Sequence, residues 1–166
     1  MKVDQIIRNK KIFIIAEAGN NHEGNFNRAV NLIKKASDCG ADAVKFQTFK
    51  TEKFVSNLYN KKSIKRLKKF ELTYEQFYKL SLISKKKGII FMSTPLDIES
   101  AIFLNKIQSV FKIASGDNDF YDLIELIMSF NKKTLISTGI TDIKNLKKIN
   151  KKFKYKFKTN IRKNLS

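Results

Sequence analysis

Short continuous apolar runs alternate along this chain with longer segments in which apolar residues recur every three or four positions. The first run, Ile12–Ala16, reads as a strand buried on both faces and gives way to Glu17, Asn20, Asn21, His22 and Glu23. Residues 25–39 then predict a helix, with Phe26, Ala29, Val30, Ile33 and Ala36 on one face, Asn25 as N-cap and Gly40 as the stop. Ala43–Gln47 is the next strand. Residues 50–70 form a longer, lysine-rich connection with a short helix around 63–70. Thr73 opens another helix through a capping box with Gln76, and that helix runs to Lys87 and stops at Gly88. Ile89–Met92 is a strand followed by Ser93-Thr94-Pro95, after which Asp97 caps a helix through about Asn105. Val110–Ala114 is a strand ending in Ser115-Gly116-Asp117, and a helix covers about 120–130. Thr134–Ile136 is a strand ending in Ser137-Thr138-Gly139, and a final helix begins near Asp142.

This alternation predicts an α/β protein of about five βα units in series, with parallel strands and right-handed crossovers. Open doubly wound sheets share the pattern, so alternation alone does not select a barrel. No strand is followed by GxGxxG, and there is no GxxxxGK[ST] loop, which weakens nucleotide-binding readings. The 166 residues suffice for one domain. They fall short of the roughly 250 typical of a closed eight-stranded barrel.

Charge changes the picture less than its size suggests. The formal net charge is +19 and the pI about 10.0, which invites a nucleic-acid reading. Nearly all of it is lysine; arginine occurs only at Arg8, Arg28, Arg66 and Arg162. Phosphate and base readers favour the planar arginine fork. Abundant Ile, Asn and Phe, no Trp and the single Pro95 fit an A/T-rich coding bias, so Lys61-Lys62 and Lys85–Lys87 read as solvated faces. A nucleic-acid partner is disfavoured. Cys39 is the only cysteine, so no internal disulfide forms, as fits a reducing cytosol. His22 is the only histidine, which rules out a His–His metal pair within the chain and assigns it to ordering its loop. Neither a signal-peptide core nor a membrane-length apolar run is present, and the expected location is cytoplasmic. After Asp142 no acidic residue occurs, so residues 1–142 read as the folded domain and 143–166 as a basic, divergent tail. Within that tail FKYKFK reads as an edge strand with one apolar face.

Each expected strand ends in polar groups: Glu17; Lys45 and Gln47; Ser93 and Thr94; Lys112, Ser115 and Asp117; Ser137 and Thr138. In a parallel sheet these ends converge on one side. Two lysines among hydroxyls suit an anionic substrate carrying phosphate or carboxylate. Glu17 could move a proton, hold a sugar hydroxyl, or serve as the buried partner of Lys45.

The ordered motifs AEAGNNHEG, DAVKFQTF, FMSTPLDIES, FKIASGDN and LISTGIT resemble the N-acetylneuraminate (sialic acid) synthase family from about Ile12 to Thr141. The resemblance implies a (β/α)8 TIM barrel, often followed by a small antifreeze-like domain. It implies condensation of phosphoenolpyruvate with an N-acetylated amino sugar of the N-acetylmannosamine type, giving a nine-carbon 2-keto sugar acid and phosphate. A divalent metal, Mn or Mg, is expected as Lewis acid. Carried over by motif, Glu17 and Lys45 are the catalytic residues. Gln47, Thr94, Lys112, Ser115 and Ser137 bind phosphoenolpyruvate, and Asp117 faces the amino sugar where relatives often carry Glu. Leu96 and Lys133 depart from the Phe and Pro common at their positions. The family's metal-binding histidines lie on later strands than this chain reaches, so its ligands are missing here. The chain therefore reads as the N-terminal part of the barrel, inactive alone. The alternatives are a vestigial fragment, a half-barrel subunit completed by a second copy or complementing chain, a Schiff-base aldolase using Lys45 or Lys112, and a basic nucleic-acid-binding module.

Overall fold

A computed structural model describes residues 12–55, 61–139 and 142–153. β1 (Ile15–Gly19), β2 (Ala43–Thr48) and β3 (Ile90–Pro95) form one parallel sheet in that order. β4 (Val110–Ile113) pairs in parallel with β5 (Lys133–Ile136). Helices α1 (Phe26–Asp38), α2 (Thr51–Phe54), α3 (Lys61–Phe70), α4 (Tyr74–Lys86), α5 (Ile98–Leu104), α6 (Tyr121–Ser129) and α7 (Ile143–Phe153) fill the connections. β3 and β4 lie side by side without a ladder between them. Gln108 bridges the join: its buried side-chain amide accepts from Ser93 N at 2.7 Å and donates to Ser93 O at 3.0 Å. One side chain thus supplies the pair of bonds that a strand neighbour would otherwise make.

The period-two alternation of the strands separates two faces. One face carries Ala16, Ala18, Val44, Phe46, Phe91, Phe111, Ile113 and Ile136. They pack with Ala29 and Ile33 of α1, Phe77 and Leu80 of α4, Leu104 of α5 and Ile127 of α6 into the main core. The other face begins with a smaller apolar layer of Phe13, Ile15, Ala43, Ile90, Met92 and Val110. By the same alternation, the next side chains along that inner face are Glu17, Lys45, Thr94 and Lys112.

The helix signals act as expected. Asn25 accepts from Arg28 N at 3.0 Å, and Thr73 with Gln76 forms both bonds of the capping box, at 3.1 and 2.8 Å. Gly40 follows α1 with φ +77°, a conformation open to glycine at little cost. Gly24 is more constrained. Its φ is also +77°, and a Cβ there would sit 1.9 Å from Lys69 O, so the loop after β1 lies directly against the backbone of α3.

Two expectations need correction. The first strand begins at Ile15 rather than Ile12 and is not buried on both faces; Ile12 and Ile14 are 74% and 55% exposed. Its register starts at Ile15↔Ala43, and among the described residues only β2 pairs with it. The 50–70 connection holds two helices, α2 and α3, and α3 starts at Lys61 rather than 63. The final helix expected near Asp142 is present as α7, and its Ile149 is buried in the main core. Phe153, the first residue of FKYKFK, ends that helix rather than opening a strand; residues 154–158 lie outside the described residues.

Candidate anion-binding site

The inner-face side chains meet at the C-terminal ends of the strands. Glu17, Lys45 and Met92 are in register across β1, β2 and β3, and Gln47 stands opposite Thr94. The buried Lys45 ammonium lies 2.6 Å from Glu17 Oε2 and donates to Thr94 Oγ1 at 3.2 Å. On the adjoining pair of strands the Lys112 ammonium donates to Ser137 Oγ and, at 3.3 Å, to Ile113 O. Burial holds the Lys112 pKa below its ordinary value, the nearby Lys45 charge lowers it further, and Glu17 opposes both. Two ammonium groups therefore share one region with a single carboxylate, whose side chain is 58% exposed and can turn to water. Hydroxyls supply the remaining donors.

Protonating Lys112 in this setting is costly. The cost is present in full below its folded pKa. As pH rises from there toward the unfolded value near 10.5, the folded chain has already released a proton that the unfolded chain retains. Stability therefore rises across that window. An anion that pairs with Lys112 reverses the shift, so its binding is coupled to proton uptake in the same window.

The structure brings together Glu17, Lys45, Thr94, Lys112 and Ser137. Gln47 is half-buried beside Thr94 along the strand ends. Ser115 and Asp117 form the 3-10 turn after β4. The Asp117 carboxyl is pushed above the usual range by burial and then by the charge of Asp119, and its buried Oδ2 has no hydrogen bond among the described residues. Ser93 does not belong with the set. It points to the helix side, where its hydroxyl pairs with Thr48 Oγ1 at 2.7 Å, because Ser93 and Thr94 face opposite sides of β3. Thr138 is exposed at the end of β5.

Sequence reasoning missed Asn118, whose Nδ2 donates to Ser115 O at 3.0 Å and Ser137 O at 2.8 Å. No periodicity marks it, because it follows a turn. Asp97 was legible as a cap but does more: its carboxylate accepts from Ser100 N, Ser100 Oγ and Lys50 N, at 2.7, 2.8 and 2.8 Å. It thereby joins the loops that follow β2 and β3.

His22 orders the first loop. It is buried against Phe46 (6.0 Å between ring centroids), and its Nδ1 accepts from Gly24 N at 3.1 Å. Burial first, and the Arg28 charge second, lower its pKa to about 4. Between that value and the ordinary 6.5 the unfolded chain binds a proton that the folded chain refuses, so stability falls as pH drops through this window. The expected loss attributable to His22 is on the order of 2 kcal/mol. Urea denaturation at several pH values checks it. In His22→Asn, whose amide oxygen can still accept from Gly24 N, that part of the pH dependence should vanish.

Among the described residues no group of three His, Cys, Asp or Glu side chains converges, and the one histidine already engages Gly24 N and the core. Also among the described residues, no helix is long and apolar enough to cross a membrane.

These features define a parallel α/β protein whose strand ends gather two ammonium groups, a carboxylate and several hydroxyls. Residues 32–162 match the model of the NeuB family, and the chain belongs to that family. It is 47% identical over 134 residues to an uncharacterized protein of Methanocaldococcus jannaschii, a match covering 79% of this chain and 39% of that one. It is 39% identical over 147 residues to N,N'-diacetyllegionaminic acid synthase of Campylobacter jejuni, covering 81% and 44% of the two chains. Its fold is similar to the crystal structure of N-acetylneuraminic acid (sialic acid) synthetase from Leptospira borgpetersenii, with TM-score 0.84, 34% identity and coverage of 89% and 52%. The chain thus spans less than half the length of these curated relatives.

Proposed function

We propose that this chain carries the phosphoenolpyruvate-binding side of a sugar-acid synthase of (β/α)8 barrel type. The observation that carries the reading is the inner-face cluster of Glu17, Lys45 and Thr94 beside Lys112 and Ser137. Phosphoenolpyruvate has a phosphate and a carboxylate, and two ammonium groups with flanking hydroxyls complement both. Membership of the NeuB family and similarity to proteins named as legionaminic and sialic acid synthases support the same substrate class.

In the proposed reaction carbon 3 of phosphoenolpyruvate forms a bond to the aldehyde carbon of an N-acetylated amino sugar of the N-acetylmannosamine type. The aldehyde oxygen takes a proton. Water adds at carbon 2, the bond from carbon 2 to the phosphate oxygen breaks, and a nine-carbon 2-keto acid and phosphate leave. Lys45, Lys112, Thr94, Ser115 and Ser137 hold the anionic groups, with Gln47 at the rim and Asp117 toward the sugar. Glu17 is the group able to exchange a proton near the reacting carbons. A divalent metal belongs to this proposal only with ligands outside the described residues. The proposed location is cytoplasmic.

Phosphate release from phosphoenolpyruvate, measured with N-acetylmannosamine and Mn2+, tests the reading. Sugar-dependent release that disappears in Lys45→Ala supports it. Release that ignores both the sugar and Lys45 would overturn it. A second reading rests on the lowered pKa of Lys112, which suits an amine nucleophile. Borohydride trapping of the chain with a keto acid separates the two, since only the Schiff-base reading expects a reduced adduct on Lys112.

A further inference from the structure

We propose that Asn118 is a positioning residue for the anion site, fixing Ser115 and Ser137 to one another through a single side-chain amide. The inference rests on the anion-binding reading given above. The β4–β5 ladder ends with Ile113↔Ile136, followed by one bond from Ser137 N to Ile113 O at 3.1 Å. Beyond that point the strands part: β4 passes into the turn Ser115–Asp117, while β5 runs out through Ser137. Asn118 closes the gap. Its Nδ2 donates to Ser115 O at 3.0 Å and to Ser137 O at 2.8 Å.

Both partners are carbonyls, which only accept, so the NH2 end of the amide must face them and its orientation follows from chemistry. Both N–H groups are thereby used. The residue is 3% exposed, and its buried Oδ1 has no hydrogen bond among the described residues. An unsatisfied buried acceptor costs free energy. The arrangement therefore places the two carbonyl bonds above the satisfaction of Asn118 itself. Both tethered residues face the same chemistry: Ser137 Oγ accepts from the Lys112 ammonium, and Ser115 heads the turn next to it. With the tether cut, the turn after β4 and the end of β5 are free to separate, and Ser137 moves off Lys112.

The test is calorimetric titration of the chain with inorganic phosphate and with phosphoenolpyruvate. Wild type is compared with Asn118→Asp and Asn118→Ser, each checked for folding by circular dichroism. Asn118→Asp keeps the shape and removes both donors but adds a negative charge that itself repels an anion, so the uncharged Asn118→Ser is the variant whose loss of affinity counts for the tether. Folded variants are expected to bind both anions about tenfold more weakly. Wild-type affinity in either folded variant, whatever its melting temperature, would overturn the inference, because a merely structural role lowers stability without lowering the affinity of folded protein. Absence of binding by folded wild type would instead overturn the anion reading, and this inference with it.

Discussion

Lys45→Met is expected to weaken phosphoenolpyruvate binding by about 100-fold while leaving the chain folded. The lysine is buried, with its ammonium 2.6 Å from Glu17 Oε2 and 3.2 Å from Thr94 Oγ1. A charge-assisted bond to an anion contributes roughly 1.5–3 kcal/mol. Its removal also leaves the Glu17 carboxylate facing the ligand without a neutralising partner. Together these effects come to about 3 kcal/mol, or about two powers of ten in affinity. The stability cost should be smaller, because methionine fills much of the same volume and the Glu17 side chain already reaches water. Calorimetry measures the affinity and a thermal melt the stability. An affinity within a factor of about three of wild type would mean that the anion does not sit on Lys45.

The largest effect on stability is expected from Gly24→Ala, at about 3 kcal/mol. Two costs add there. An alanine at φ +77° is strained by about 1 kcal/mol. Its Cβ would also meet Lys69 O at 1.9 Å, and that atom is helix backbone, which cannot swing away as a side-chain tip can. Overpacking of this kind costs about 1–3 kcal/mol. The strain falls where α3 docks, and no residue of α3 is fully buried. Urea denaturation should therefore show the loss, and hydrogen exchange should show α3 losing protection before α1 or α4. Unchanged stability together with unchanged protection of α3 would contradict the close approach of these two segments.

The docking of α3 marks where sequence stops being informative. Apolar runs and helical spacing made the strands and the larger helices legible, since Phe46, Ile33, Leu80 and Ile127 all point to one shared core. Caps were legible because Asn25, Thr73 and Asp97 act within three residues of themselves. Contacts between distant segments were not. Nothing near Gly24 reports that Lys69 lies against it, and nothing near Gln108 reports that its amide joins β3 to β4. The same limit applies to the site. Alternation alone could have removed Ser93, because adjacent strand residues face opposite sides, yet the polar run Ser93-Thr94 reads as one feature until the core is known. Lys45 and Lys112 were legible as strand-end cations, but their mutual repulsion depends on spacing between strands. Asn118 left no signal because its role lies entirely in two carbonyls reached across a gap.

The most direct measurement is calorimetric titration of phosphoenolpyruvate into the folded chain at several pH values, each in two buffers of different ionisation enthalpy. The expected result is saturable binding accompanied by proton uptake as pH passes through the lowered Lys112 pKa, with affinity lost above it. Lys112→Met should abolish the proton uptake, and Lys45→Met should abolish most of the affinity. A folded chain that binds no phosphoenolpyruvate, or one that binds it equally well without either lysine, would contradict the anion site on which the proposed function stands.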